Sequence, residues 1–366
     1  MGTSRARRAR PEDVRALGEL SDRVFRPTLP PGAGMPVEFP RLFHADNAGN
    51  LYLVEDSAGN PVSMVGTYPS ELVSNGIRLT AVSIGSVATL PDHRGRGYAT
   101  EMLEMIIEDH SPHHSIMLVS GGRGLYARLG CVEFGTLLRA WWEPADWSDT
   151  RVTCRESAYP RGDASMLHRL YQTEAYRVLR TPIEMESYVN ATTAPRFRAR
   201  PAPGRVLIAE REDTAVAYAV AAPGREGAAI NFLEWAGDRA GLLSLAQYAL
   251  RQMQGDRVEW RFQPGDRTLG GLLAAHRIPH EPCPNQGTIA LLNPERLLNE
   301  VNPWIEEQTG QRLTWQQGYQ VAWSGSPPAE VPSLPTEPSR AALTRWFFSA
   351  DGVNVPLVDT GGLSYI

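Results

Sequence analysis

The sequence has little of three things that would place it in a common class of protein. Its 366 residues include only 3 cysteines, and Cys131, Cys154 and Cys283 are too few and too scattered for a disulfide framework or a zinc knuckle. No apolar run approaches the length of a membrane span or resembles the apolar part of a signal peptide. A net charge of −5 implies no broad basic surface. The sequence therefore predicts a cytoplasmic protein with no membrane partner and no nucleic-acid partner.

Two familiar phosphate-binding motifs are also missing or incomplete. A Walker-type loop, Gly, four residues, then Gly-Lys-Ser/Thr, occurs nowhere in the chain. Residues 122–127, GRGLYA, fit the pattern G-x-G-x-x-A of a dinucleotide fold, with Glu143 at about the distance expected of a ribose partner. Gly130, however, closes the helix that follows almost at once, whereas a dinucleotide fold needs a long crossover helix.

The strongest pattern that is present covers residues 82–100, VSIGSVATLPDHRGRGYAT. Apolar and β-branched residues as far as Leu90, closed by Pro91, predict a strand. From Gly97 onward, apolar residues recur at helical spacing with acidic residues between them, which predicts an amphipathic helix to about Asp109.

The turn between this strand and helix, RGRG at residues 94–97, has the composition of a phosphate site. Its two glycines lack Cβ atoms where a ligand would approach the backbone, and the first N–H groups of a helix have no intrahelical partner. Those donors, the positive end of the helix and two guanidinium groups all favour a bound anion. An exposed turn that is merely basic is the alternative, but the arginine pair and its position favour phosphate.

Two runs of residues resemble motifs of the GNAT-type N-acetyltransferases. Residues 94–99, RGRGYA, resemble the family's pyrophosphate loop, which reads Arg or Gln, two residues, Gly, one residue, Gly or Ala. Residues 125–131, LYARLGC, are similar to its second motif, a Tyr on a short helix followed by Gly and a hydrophobic residue. The resemblance implies acetyl-CoA as co-substrate and no metal. The residues that it implies for binding acetyl-CoA are Val87, Ala88, Thr89, Arg94, Gly95, Arg96, Gly97, Tyr98 and Ala99.

The resemblance also implies roles in attack of an amine on the thioester. Backbone N–H groups near Val87 and Ala88 are the candidates for stabilising the oxyanion. Tyr126 is the candidate acid, since a phenol with a pKa of about 10 can protonate the departing thiolate, and a buried structural tyrosine is the alternative. The carboxylate of Ile366 is the candidate base, with a frayed terminus as the alternative. The internal acids and bases that compete with it are Glu38, His44, Asp46 and Glu71.

The order of predicted elements indicates an α/β chain in which a mixed-sheet GNAT fold occurs twice. Residues 1–145 are predicted to be the catalytic domain, 146–293 a degenerate second GNAT-like domain, and 294–366 a short α+β tail similar to a sterol-carrier domain. In the second domain the strand-to-helix turn carries Asp238, whose charge would oppose a pyrophosphate. The layout resembles the enhanced-intracellular-survival family of aminoglycoside and amine acetyltransferases.

The function predicted from this resemblance is transfer of an acetyl group from acetyl-CoA to a primary amine of a small molecule, by direct attack in a ternary complex. The acceptor would be aminoglycoside-like, a polyamine or an arylalkylamine. A non-catalytic acyl-CoA sensor and a lipid- or partner-binding scaffold are the alternatives, and a homo-oligomer is left open. The cluster His110, His113 and His114 spans a Ser-Pro break, so an exposed loop is favoured over a metal site.

Overall fold

The computed structural model describes residues 5–122, 124–143, 151–194, 200–224 and 228–364. Its helices and strands are, in chain order, β1 Ala6–Arg8, α1 Val14–Phe25, α2 Met35–Glu38, β2 Leu51–Glu55, β3 Pro61–Ser74, β4 Ile77–Thr89, α3 Tyr98–His110, β5 Ile116–Val119, α4 Gly124–Ala127, β6 Thr136–Trp142, β7 Thr153–Glu156, α5 Pro160–Tyr171, β8 Tyr176–Val178, α6 Pro182–Ala191, β9 Arg205–Arg211, β10 Thr214–Pro223, β11 Ala229–Gly237, α7 Arg239–Met253, β12 Arg257–Phe262, α8 Arg267–Ala275, β13 His280–Pro284, β14 Thr288–Leu291, α9 Pro294–Thr309, β15 Leu313–Gln317, β16 Gln320–Trp323 and α10 Arg340–Phe348. No helix in the described ranges is both long and apolar enough to cross a membrane.

The chain folds into two compact units that are not continuous in sequence. Among the described residues, the first unit consists of those up to Gly135 together with Gln286–Leu357, and the second consists of Thr136–Asn285 together with residues 358–364. This division differs from the boundaries expected at residues 145 and 293, because two strands pair outside their expected domain. Strand β6 pairs with β12 and β13 of the second unit, and β14 pairs with β5 of the first.

The sheet of the first unit has the strand order β1-β2-β3-β4-β5-β14. Its pairs are antiparallel except β4 with β5, which run parallel. Strands β3 and β4 form a long hairpin whose last pair is Ser74 with Ile77. The two residues between them, Asn75 and Gly76, have φ of 50° and 91°, as a two-residue hairpin turn with a matching twist requires. The Asn-Gly pair in the sequence predicts such a hairpin, and the structure confirms it.

Helix α3 packs its apolar face on this sheet, as its periodicity predicts. Met102, Leu103 and Ile106 are fully buried beside strand residues such as Val82 and Met117. The burial of these side chains fixes the start of α3 against the end of β4. The position of the turn at residues 94–97 is therefore set by the core of the unit.

The second unit repeats the central arrangement of the first. Its sheet has the order β13-β6-β12-β11-β10-β9-β7, and β11 and β12 are parallel neighbours. Helix α7 lies between them in sequence and buries Leu242, Leu245 and Ala246 against the sheet. A mixed α/β fold with two similarly ordered sheets is thus confirmed.

From its apolar and β-branched residues, the sequence predicts three strands near the C-terminus, over 286–293, 313–323 and 353–358, and each differs from the structure. The strand expected over 353–358 does not form, because the amides of Val353 and Val355 donate to carbonyls of Trp346 and Phe347 at the end of α10. The strand expected over 313–323 is the hairpin β15–β16, turning at Gly318 with φ 51°. The strand expected over 286–293 shortens to β14, and β13 precedes it.

Candidate active site

The parallel strands β4 and β5 stop pairing before β4 ends. Their last registered pair is Ile84 with Val119, and β4 continues to Thr89. Within that extension, Met64 lies opposite Ala88 and Gly66 opposite Gly85, with a shift of register between them. Such a bulge bends the strand that carries the extra residue. The carboxyl end of β4 therefore extends past its parallel neighbour, the place where ligands bind in open α/β sheets.

Ser86 is the residue that adopts the unusual backbone conformation of the bulge, with φ 51°. Its hydroxyl is buried and lies 2.6 Å from the hydroxyl of Ser21 on α1. Beyond it, Ala88 is buried, and the hydroxyl of Thr89 lies 2.7 Å from that of Ser63. Hydroxyl contacts from α1 and from β3 thus hold the strand end that the sequence predicts to bind acetyl-CoA.

The turn before α3 has the backbone expected of a phosphate cradle. Gly95 and Gly97 have φ of 76° and 81°, which favours glycine, and no atom lies within 4 Å of a Cβ built at either position. Gly97 is the N-cap of α3. Arg94 Nε donates to Thr89 O at 3.2 Å, and Arg96 Nη2 donates to Asp92 O at 3.1 Å. The two exposed guanidinium groups are therefore tethered to the same turn whose amides begin the helix.

Arg5 ties the first strand to this turn, and sequence reasoning missed its role. Its guanidinium donates to Arg96 O at 3.2 Å and lies 4.7 Å from the centre of the Tyr98 ring. The carboxylate of Glu101 accepts from Arg5 N at 2.5 Å and from Ala6 N at 3.0 Å. An acid in the first turn of α3 would repel a phosphate, and the Arg5 cation offsets that charge. In the sequence, the cluster of arginines at positions 5, 7, 8 and 10 was the signal that could have pointed to a role for Arg5.

Tyr126 lies on the short helix α4, which follows β5 in the chain. Its side chain is 6% exposed, and its Cε2 atom is 3.5 Å from a Cβ built at Gly121. It belongs to the same buried cluster as Ile84, Val119 and Tyr98. Tyr126 therefore packs in the same core as Ile84 and Val119, the last pair of β4 and β5, and as Tyr98, the first residue of α3.

The internal candidates for a base are engaged in other interactions. Glu38 is buried and accepts two bonds of 2.6 Å from the guanidinium of Arg26, whose pKa is raised mainly by this contact. His44 Nδ1 accepts from the backbone N of Asp46 at 3.2 Å. Glu71 forms an ion pair of 3.1 Å with an exposed arginine. Both carboxylate oxygens of Glu38 are thus occupied by one guanidinium, so Glu38 is a structural residue.

The candidate base Ile366 lies outside the described residues. The segment that precedes it is held in the second unit. Arg261 and Asp359 form an ion pair of 2.9 Å, and Thr360 N donates to Asn285 Oδ1 at 3.0 Å. Leu363 is 3% exposed and packs in a core cluster of that unit. The chain is therefore anchored in the second unit as far as Leu363, and the role of the Ile366 carboxylate stays a prediction.

The strand-to-helix turn of the second unit is already filled by its own side chains. Asp238 is the N-cap of α7 and accepts from Gly241 N at 2.7 Å. Arg239 forms ion pairs of 2.8 Å with Glu174 and Asp266. The negative charge at this helix terminus supports the prediction that the second unit has no phosphate cradle.

The histidine cluster is less exposed than the sequence suggested. His110 is buried, and its Nδ1 lies 3.4 Å from Nδ1 of His114. Burial is the main cause that lowers the pKa of His110 to about 4. Thr67 on β3 approaches the ring to 3.4 Å, which explains why this turn is packed rather than free. Within the described ranges, no three His, Cys, Asp or Glu residues are grouped so that they could hold a metal ion.

Comparison with known proteins agrees with this geometry. Residues 5–133 match the family model described as the acetyltransferase (GNAT) domain. No curated protein matches the chain. Among solved structures, a conserved protein of unknown function from Enterococcus faecalis V583, described as a probable N-acyltransferase, is 15% identical with a TM-score of 0.62, covering 82% of this chain and 75% of its own. The GCN5-related N-acetyltransferase of Anabaena variabilis is 14% identical with a TM-score of 0.60, covering 81% and 74%.

The sheet of the first unit and the turn before α3 agree with this family match. Residues 5–133, which lie in the first unit, thus form a GNAT acetyltransferase domain. Its co-substrate is an acyl-CoA, and the glycine conformations and paired arginines of the turn suit the phosphates of such a molecule.

Proposed function

We propose that the first unit transfers an acetyl group from acetyl-CoA to a primary amine of a small molecule by direct attack in a ternary complex. The observation that carries this proposal is the extension of β4 past β5 beside a glycine turn that begins α3. Such an opening can take an extended acyl chain along β4, while the phosphates lie on the helix terminus. This opening favours acyl transfer over the binding of a dinucleotide and over a reaction at a metal ion.

Acetyl-CoA supplies an activated thioester, and the residues of this chain would bind and orient it. Arg94, Arg96 and the amides around Gly95 and Gly97 would hold the pyrophosphate. The backbone of residues 87–89 would line the pantetheine arm, and its N–H groups would stabilise negative charge on the carbonyl oxygen.

Tyr126 would give its proton to the sulfur as the C–S bond breaks. Replacing it with Phe removes one hydroxyl and keeps the buried ring, so we expect normal folding and acetyl-CoA affinity with a lower kcat. The matched control is Tyr159→Phe, which removes the hydroxyl of an exposed tyrosine in the second unit. Steady-state kinetics with calorimetry measures both. An unchanged kcat in Tyr126→Phe would leave this side chain a purely structural part of the core.

The acceptor is the part of the proposal that rests on resemblance alone. The layout of the enhanced-intracellular-survival family favours an aminoglycoside, a polyamine or an arylalkylamine. The Ile366 carboxylate is the proposed base for all three, since the internal acid Glu38 is held by Arg26. Acyl chain length belongs to the same question, because the β4 edge could carry chains longer than acetyl.

A screen of amines for release of free CoA thiol tests the proposed function. Saturable release that depends on one class of amine, with N-acetyl product confirmed by mass spectrometry, is the expected result. Binding of acetyl-CoA without release on any amine would instead indicate an acyl-CoA sensor. Absence of acetyl-CoA binding would overturn the cradle itself and leave a scaffold role.

A further inference from the structure

The loop that carries Tyr126 is held on one side by residues from the C-terminal part of the first unit. Thr288 Oγ1 donates to Gly121 O at 3.1 Å, just before the loop. Val132 and Ile289 form a bridge with two backbone bonds of 2.9 Å, just after it. Gly135 N donates to the carbonyl of Phe348 at 2.8 Å. Strand β14 and helix α10 therefore frame both ends of the segment that contains α4.

Arg340, the first residue of α10, reaches the middle of this segment. Its Nη1 donates to Leu129 O at 3.2 Å, and its Nε donates to the hydroxyl of Tyr319 at 2.6 Å. Its side chain also runs along Gly130, where a built Cβ would lie 3.0 Å from Cγ and Cδ of Arg340. Gly130 has φ 82°, so the glycine of the second family motif is required both by its backbone and by this contact.

These contacts are mechanically linked to Tyr126 through the turn that ends α4. The carbonyl of Tyr126 accepts from Leu129 N at 2.9 Å and from Cys131 N at 3.1 Å. The turn is therefore one hydrogen-bonded unit, in which Arg340 fixes the Leu129 carbonyl and Tyr126 receives the Leu129 amide. A shift of residues 128–130 would be passed directly to the backbone of Tyr126.

We infer that Arg340 is a positioning residue that holds the Tyr126 loop in place for proton transfer to the departing thiolate. This inference rests on the proposed role of Tyr126 as the acid. It assigns a function to the C-terminal segment of the first unit, namely support of the active-site loop. A guanidinium suits the task because its planar fork makes two directed bonds, to Leu129 O and to Tyr319, from one side chain.

The test compares Arg340→Ala and Arg340→Lys with the control Arg345→Ala in the full-length protein. Arg345 lies on the exposed face of the same helix, so its removal changes charge without touching the loop. Loss of Arg340 should lower kcat on the order of 10-fold or more, since small misplacements of reacting groups are costly. The KM for acetyl-CoA should change little, because the phosphate turn is built from other residues. Lys should restore only part of kcat, since it cannot make both bonds.

A double-mutant cycle separates positioning of Tyr126 from a general structural effect. If Arg340 acts through Tyr126, the double variant Arg340→Ala with Tyr126→Phe should be no slower than Tyr126→Phe alone. Additive losses would overturn the inference. If Tyr126→Phe itself keeps full kcat, the proposed acid fails and the positioning of that acid fails with it.

Hydrogen exchange gives a readout that does not depend on catalysis. Arg340→Ala should speed amide exchange in the peptide that covers residues 124–132, leaving the peptides of α3 and β4 at the wild-type rate. Unchanged exchange in residues 124–132 would refute the idea that Arg340 holds this segment, even if kcat falls. Suppose that exchange becomes faster in Arg340→Ala while Tyr126→Phe keeps the kcat of the wild type. Arg340 then holds the segment, but Tyr126 is not the acid, so the two failures are distinguishable.

Discussion

The most direct test of the proposed phosphate site, the turn at residues 94–97, is to remove its two positive charges. In the variant Arg94→Ala with Arg96→Ala, each substitution deletes one guanidinium that is exposed and tethered to the turn by a bond to Thr89 O or Asp92 O. A charged hydrogen bond contributes roughly 1.5–3 kcal/mol, so two would contribute about 3–6 kcal/mol if fully desolvated. Both groups face water, which places the expected loss near the lower limit, at about 3 kcal/mol.

That loss corresponds to a roughly 100-fold weaker Kd for acetyl-CoA, measured by calorimetry at low salt. The difference from the wild type should shrink as ionic strength rises, because exposed charges are screened. The matched control, Arg15→Ala with Arg78→Ala, makes the same change in net charge at exposed positions outside the turn. An unchanged Kd in the turn variant would refute the cradle. Two acetyl-CoA molecules per wild-type chain would refute the reasoning that Asp238 closes the second unit to phosphate.

Two further predictions concern the chain end and the buried histidine. Deleting residues 364–366 should abolish acetyl transfer while acetyl-CoA affinity and Tm stay nearly unchanged, since Leu363 and the Asp359 ion pair remain. The matched comparison is a variant with one added C-terminal glycine, which moves the carboxylate by up to about 3.8 Å. If both variants keep the full kcat/KM, the terminal carboxylate is not the base. Folding lowers the pKa of His110 from 6.5 to about 4. Between pH 6.5 and pH 4, this histidine is therefore protonated in the unfolded chain and neutral in the folded chain. The free energy of unfolding should therefore fall as pH drops through this window, by up to about 1.4 kcal/mol per pH unit, and His110→Gln should show a shallower fall in Tm; equal slopes would contradict the burial argument.

The parts of the fold that the sequence predicts well are those encoded locally. Asn75 and Gly76 specify a turn through their own backbone preferences, and the β3–β4 hairpin follows. The spacing of Met102, Leu103 and Ile106 specifies one buried helical face. The backbone of the turn at residues 94–97 belongs to this group, because its glycines and the helix start are consecutive.

The parts that the sequence did not predict depend on contacts between distant residues. Arg340 and Leu129 are separated by 211 positions, and no local pattern joins them. Strand β6 reads as the last strand of the first domain, yet its partners are β12 and β13. The Glu38 carboxylate looks available in sequence, and only the fold brings Arg26 within 2.6 Å of it. Local patterns carry no information on which partner a strand or a charge will find.

The pairing of β14 with β5 also determines when the first unit can fold during synthesis. Residues Ile116–Val119 of β5 are all buried, and β14, which covers one side of them, is made only after the whole segment from β6 to β13 has been translated. Until then β5 is an open, apolar sheet edge, the kind of surface that pairs with other chains. In the chain, the last strand of the first unit therefore follows nearly all of the second unit. A single cut of the chain cannot release either unit as a folded piece.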